Sequence, residues 1–355
     1  ETGKLLVSAY DLEVGARSSL DCVVVEGGDC TVPFKLLRDV LKGVGKDTEI
    51  EVYSTDRHEV YVGMAKLNGL PGEEFPRFPE LGEGTIVVRV PASRFIDWMT
   101  RVGAAASKDD PRKVLQGVLF IGSDTSPDLT AVAIDGYRLA VESFGLPYEA
   151  SDSDYERLVP NVAIERAIKL VKSVGKKSLP GTSVLMEFGE TQAAFYVLAN
   201  TGCVGFVQTR HIEGVYPNWD RVIPSTHTRT MTFDRDAMLT ALKVLAPIAS
   251  DDGNKIGLYA TGGSIRMMAK SQVAGLAKQV VTELSGTDDG LPIGINQRYF
   301  KQMLEGMPTG VVLVEYKEQD NPFVFKMDGL PGYMHLIMPM GMGDWDAYLQ
   351  DDEGW

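Results

Sequence analysis

The sequence lacks any apolar run long enough to cross a bilayer, has only three cysteines in 355 residues and carries no catalytic signature. The first absence excludes a helical membrane span. With 44% hydrophobic and 24% charged residues the composition is that of a globular protein, expected to be cytoplasmic. Cys22, Cys30 and Cys203 form an odd set without CxxC spacing, which argues against a disulfide framework and a thiolate zinc site. His58, His211, His227 and His335 are scattered outside any HExxH-like spacing, and there is neither a GxSxG elbow nor a P-loop. Asp109-Asp110 and Asp251-Asp252 are what remains for a metal-dependent hydrolase. Acidic pairs in such loops are ordinarily solvated, so no cofactor, metal or catalytic residue is expected.

An excess of positive charge is missing too: the net charge is −14. Taken alone this disfavours a nucleic-acid partner, because phosphate binding is driven by Lys and Arg releasing counterions. The distribution matters more than the total. Five segments read as amphipathic helices: Pro33 to Gly43, Pro91 to Gly103, Pro160 to Gly175, Asp234 to Ala246 and Asn296 to Gly306. Counted with the flanking Lys176 and Lys177, they total +8 against −22 for the rest of the chain. The bland account is that Lys and Arg are good helix formers on solvated faces. The functional one is a protein that repels DNA outside and tolerates it along one surface.

These helices recur at intervals of 58 to 73 residues, each after a short apolar strand and before about three more strands. Repetition on that scale speaks of architecture before chemistry. Phe95, Ile96, Met99 and Val102 form one apolar stripe, and Ile164, Ala167, Ile168 and Val171 another. Three helices open after Val-Pro, where a missing N–H costs nothing. The expected strands are Thr48 to Ser54, Tyr61 to Lys66, Val118 to Ile121, Leu129 to Ile134, Ser183 to Phe188, Ala193 to Leu198, Cys203 to Arg210, Val311 to Tyr316, Pro322 to Met327 and Tyr333 to Met338. Gly262-Gly263 reads as a hairpin turn, and Gly145 to Glu156 as a polar loop. Connectors at Leu70 to Pro76 and Tyr216 to Thr228 divide the chain into 1–83, 84–225 and 226–340, with an acidic, aromatic tail at 341–355. That tail does not continue the repeat and is expected to be flexible. Glu1 enters directly at the alternating Lys4 to Ser8. If units pair two to a domain, five leave one unpaired, so a strand and helix are expected ahead of it.

Three segments carry apolar and Arg-bearing turns: Ala133-Ile134-Asp135-Gly136-Tyr137-Arg138-Leu139-Ala140, Pro217-Asn218-Trp219-Asp220-Arg221-Val222-Ile223-Pro224 and Leu336-Ile337-Met338-Pro339-Met340. With Leu70-Pro71-Gly72-Glu73-Glu74-Phe75-Pro76 they resemble, in order, motifs of the bacterial DNA polymerase III beta subunit, the replicative sliding clamp family. The resemblance runs from about Gly3 to Met340. It implies an α+β clamp fold of three domains, each holding two strand-helix-strand units, closed head to tail as a homodimer around duplex DNA. It implies no enzymatic activity, only tethering of the polymerase, with a non-ring-forming nucleic-acid or peptide-binding scaffold as the alternative.

By the same resemblance, a pocket for short peptides of the replicative DNA polymerase, clamp loader and repair proteins is lined by Leu115, Ile134, Gly136, Tyr137, Arg138, Leu139, Pro217, Arg221, Val222, Pro322, Met338, Pro339 and Met340. Apolar walls, adaptable Met and an Arg for an acidic or backbone group suit such ligands. Leu139 and Val222 could equally be core. The DNA-facing cations are Lys35, Arg38, Lys42, Arg94, Arg101, Arg112, Lys113, Arg166, Lys169, Lys172, Arg298 and Lys301. Such contacts read no sequence. Ile134 stands where the family usually has Thr, and Gly341-Met342 where it ends in Arg-Leu. The tail, with Trp345 and Trp355, is expected to visit the pocket it adjoins.

Overall fold

The computed structural model describes residues 2–45, 48–82, 85–123, 128–145, 154–175, 179–200, 202–287 and 290–351. Five copies of one unit, a strand, a helix and three further strands, run through it. The first comprises Cys30–Thr31, α1 (Phe34–Lys42), Val52–Ser54, Glu59–Val62 and Ala65–Asn68. The second comprises Ile86–Pro91, α2 (Ala92–Gly103), Gly117–Gly122, Asp128–Ile134 and Arg138–Gly145, and the third Tyr155–Pro160, α3 (Asn161–Ser173), Ser183–Phe188, Gln192–Ala199 and Gly202–Arg210. In the fourth, Arg229–Asp234 leads to α4 (Arg235–Asp251), Lys255–Thr261, Ser264–Ser271 and Gly275–Gly286. The fifth holds Ile293–Asn296, α5 (Gln297–Gly306), Val311–Tyr316, Phe323–Met327 and Tyr333–Ile337. Thr2–Tyr10 and Val14–Val23 precede them as an antiparallel pair.

Local chemistry sets these boundaries. Pro33, Pro91 and Pro160 each stand immediately before a helix, where φ near −60° suits the turn out of the strand. The other two helices are capped by side chains: Asp234 accepts from the Ala237 amide at 2.8 Å, and Asn296 from the amides of Arg298 and Tyr299. Helix α4 runs past the expected Ala246 to Asp251, because Pro247 lies on its exposed side, where water can meet the carbonyl that loses its partner. Gly262 and Gly263, at φ +56° and +77°, close the expected two-residue hairpin, with Thr261 opposite Ser264. Tyr61 to Lys66 is not one strand. Gly63, at φ +58°, folds it into the hairpin of Glu59–Val62 and Ala65–Asn68. Tyr155–Pro160 begins inside the stretch expected to be a loop, of which 146–153 lie outside the described residues, as do Glu83, Lys176, Lys177 and Trp355.

The last strands of the units join across the seams. Val14–Val23 pairs with Gly202–Arg210, placing Ala16 opposite Val207, and Arg138–Gly145 pairs with Tyr333–Ile337, placing Val141 opposite Met334. A six-stranded and a twelve-stranded sheet result. The helices cover one side: α2 packs against α3 and α5, and α5 against α4, giving a layer ordered α3, α2, α5, α4. Beneath α2 and α3 lies a core with Phe95, Trp98, Phe120, Ile164, Phe188 and Phe195, and beneath α4 and α5 a second with Phe233, Leu242, Met267, Phe300 and Phe325. The first unit is thinner. Its core is Val60, Val62 and Leu67, and α1 buries no residue, leaving Phe34 and Leu36 exposed.

A sixth helix, α6 (Trp345–Gln350), replaces the flexible tail expected from sequence. It lies on Lys255–Thr261 and Ser264–Ser271, burying Met342, Trp345 and Leu349 against Met268. Trp345 is therefore turned onto the outer sheet and not into the pocket.

Candidate functional site

The Asp-Gly turn is built by one carboxylate. Asp135 Oδ1 accepts from the amides of Tyr137 and Arg138 at 2.9 and 3.0 Å, and Gly136 sits at φ +88°, where a side chain would be strained. The turn holds Tyr137 outward, 65% exposed, over the seam between the second and fifth units, where its carbonyl accepts from the Met338 amide at 2.8 Å. Below it Leu115, Ile134 and Leu139 share one apolar cluster with Val324 and Leu336, and Met338, Trp219 and Ile223 pack against its side. A cavity of about 240 Å³ opens next to it, with Ile223, Pro224, Pro322, Val324 and Met334 as its apolar lining and Ser225, Thr226, His227, Glu315, Lys317, Asn321 and Lys326 as its polar one.

Most of the expected pocket residues thus converge, in distinct roles. Leu115 and Leu139 are 1% exposed and form the floor. Leu139 is core, as one of its two readings had it, and Val222 is not, at 39% exposed on the turn Trp219–Val222 with exposed Arg221. Pro217 is half-buried ahead of that turn, and Pro339 follows Met338 on the opposite wall, also half-buried. Met340 departs toward the sheet edge, where its amide donates to Gly294 at 2.8 Å. Arg138 is not free to meet a ligand. Only 7% exposed, it donates to Asp135 Oδ2 at 2.9 Å and Gln302 Oε1 at 2.7 Å and stacks on Tyr299 at 4.3 Å. Sequence reading missed Ile223, Val324 and Met334. Ile223 stood inside the quoted connector, while the other two are strand residues whose wall position arises only when the units meet.

The same seam buries Arg101. It was expected to face DNA, yet its side chain is 6% exposed, with Nε and Nη2 donating to Glu142 at 2.8 and 2.6 Å. Burial works against its charge, but the Glu142 hydrogen bonds and charge outweigh that and raise its pKa. Tyr333, directly across the sheet from Glu142, lies under the Arg101 guanidinium and hydrogen-bonds His335 Nδ1 at 3.2 Å. Desolvation, reinforced by Arg138, lowers the His335 pKa to about 3, so this imidazole is neutral. A helix residue and two strands from different units are tied by one buried polar cluster.

The other cations stay on the open side of the helices. Lys35 on α1, Arg94 on α2, Lys169 and Lys172 on α3, Arg298 on α5 and Lys113 beside Leu115 are exposed. Several are shared with acids: Arg38 and Lys42 both reach Asp39, Arg112 is held by Asp110 at 3.0 Å, Arg166 approaches Asp11 at 3.5 Å and Lys301 approaches Glu305 at 3.7 Å. Such exposed pairs are worth little and yield readily to a phosphate. Among the described residues, no group of three His, Cys, Asp or Glu could hold a metal. Of the acidic pairs, Asp110 is taken by Arg112 and Asp251 accepts from Ser271.

A repeated sheet-and-helix arrangement, with cations along its helical side and a recess beside an apolar cluster at a seam between units, defines a clamp-type binding protein. Residues 89–218 match the family described as DNA polymerase III beta subunit, central domain, and residues 220–341 that family's C-terminal domain. The chain belongs to the DNA polymerase III beta subunit family. It is 26% identical over 364 residues to the beta sliding clamp of Synechocystis sp., covering 95% of this chain and 88% of that one, and 27% identical over 353 residues to that of Streptomyces coelicolor, covering 96% and 89%. Among solved structures, the Pseudomonas aeruginosa DNA polymerase sliding clamp with ligand superposes with TM-score 0.80 at 21% identity, covering 96% of this chain and 90% of that one. The Bartonella birtlesii sliding clamp bound to griselimycin gives 0.82 at 22%, with the same coverage.

Proposed function

We propose that this chain is the subunit of a cytoplasmic ring that encircles duplex DNA without reading its sequence and tethers the replicative DNA polymerase. The clamp loader and repair proteins would take turns at the same pocket through short linear peptides. It works as a non-catalytic accessory subunit of three domains, 1–83, 84–225 and 226–340. The helices and the segment of Arg112 and Lys113 supply the DNA-facing lining through Lys35, Arg38, Lys42, Arg94, Arg112, Lys113, Arg166, Lys169, Lys172, Arg298 and Lys301, whose weak, sequence-independent phosphate contacts permit sliding. The pocket lies where Tyr137, Val222, Pro322 and Met338 surround the apolar floor.

One observation carries the ring. Of the six strands that end a unit, four are already paired across seams; among the described residues Ala65–Asn68 pairs on one side only, and Gly275–Gly286 meets Arg229–Asp234 only at 283–286, leaving a free edge along 275–282. Pairing head to tail with a second copy satisfies both, as the internal seams do. The test is topological. Protein assembled on nicked circular DNA by a clamp loader should survive gel filtration and be lost when the circle is cut. Equal retention on circular and linear DNA would favour the scaffold that does not close.

A further inference from the structure

We infer that the docked C-terminal segment is a positioning element for the partner pocket, holding both ends of the wall that the fifth unit contributes. This rests on the pocket reading above. At one end, Met338, Pro339 and Met340 leave the last strand and are fixed at once. The Met340 amide donates to Gly294, Lys255 Nζ donates to the Gly341 carbonyl at 3.2 Å, and Met342 is 4% exposed. Lys255 lies 4.0 Å over the Trp345 ring, so one cation clasps the segment at two points. At the other end, Gln319 Nε2 donates to Asp346 Oδ2 at 3.3 Å, tying α6 to the turn that leads into Pro322.

The seat is shaped for this segment. Gly257 has no side chain where Leu349 Cδ1 would stand 2.7 Å and Met342 Cε 3.2 Å from a Cβ. Lys270 pairs with Asp344 at 3.0 Å and covers the Tyr348 ring at 4.0 Å, and Arg266 donates to the Leu349 carbonyl at 3.2 Å. An acidic, aromatic helix on a basic, apolar strand pair is complementary in charge and shape. The seat lies on the outer sheet, so the segment acts on the pocket through its wall and not by entering it. A wall held at both ends is pre-organised, and a ligand need not order it.

The probe is griselimycin, carried by two solved clamps similar to this chain. Its affinity is measured by calorimetry on the full chain, on a chain lacking residues 342–355, and on Gln319→Ala and Asp346→Ala, which leave Met342, Trp345 and Leu349 in place. Removal should weaken binding about tenfold and each point variant about threefold, with methyl resonances of Met338 and Met340 broadening. Unchanged affinity and unchanged resonances would overturn the inference, and so would tighter binding, which would make the tail a competitor. If the shortened chain does not fold, the point variants decide. If the full chain does not bind the probe, the methyl resonances decide. Val222→Asp is the separate control: binding indifferent to it would reject the pocket reading itself.

Discussion

Arg101 Nη2 lies 2.6 Å from Glu142 Oε1, inside the seam between the second and fifth units, with both side chains almost wholly buried. This pair converts a cation expected to greet DNA into a fastener between a helix and a sheet. Its partner also faces Tyr333 across the strands, so three elements depend on it.

Arg101→Ala should therefore cost stability and not DNA affinity. Leaving Glu142 buried and unpaired is worth about 3–5 kcal/mol, whereas replacing both partners by apolar groups of similar volume is close to neutral. Urea unfolding should show a large loss for Arg101→Ala and recovery in Arg101→Met with Glu142→Leu. A stable Arg101→Ala whose DNA binding loses salt dependence would return the residue to the lining.

Acid should weaken the fold through His335. Its folded pKa of about 3 lies below the ordinary histidine value, so below about pH 6.5 the unfolded chain takes up a proton that the folded chain refuses. The stability is intact above that pH and falls by about 1.4 kcal/mol per unit as pH drops toward 3. His211, lowered to about 4 by desolvation, acts in the same direction. Denaturant midpoints at pH 7 and pH 5 should separate clearly in the parent chain and less in His335→Phe. Equal separation in both would remove His335 from the account.

The 275–282 stretch of Gly275–Gly286, paired on one side only, presents Leu276 and Val280, each about half exposed. Exposed apolar strands that stay soluble usually await a partner. If the ring closes as proposed, Leu276→Asp with Val280→Asp should shift sedimentation from dimer to monomer while leaving the far-ultraviolet spectrum unchanged. Dimers that persist at micromolar concentration would place ring closure elsewhere.

The helices were legible because each depends on residues within a few positions: an apolar stripe and, in three of them, a preceding Pro. The Gly262-Gly263 hairpin was equally local. Arg101 was misread because its partner lies 41 positions away, and no spacing rule distinguishes a seam cation from a surface one. Arg138 was expected to meet a ligand, whereas Gln302, one of the residues that restrain it, lies 164 positions off. Helix α6 escaped notice because six residues, one of them acidic and two aromatic, are too few to set a helical pattern of their own; the strands beneath supply the reason to fold. Residues of the three motif segments meet in one apolar cluster, while the neighbouring Val324 and Met334 join it only when two units are brought together.

The seams in this protein are continuous ladders of backbone hydrogen bonds, unlike the side-chain contacts that usually join domains. A ladder is stiff against shear, so the arc from Ile86 to Ile337 should flex little as a beam. Compliance falls instead to the first unit, whose short strands Val52–Ser54, Glu59–Val62 and Ala65–Asn68 form a sheet of their own and, among the described residues, share no ladder with the six-stranded one. In the proposed ring, any mechanical opening would spend its displacement there, at one end, and leave the geometry around Tyr137 and Met338 undisturbed.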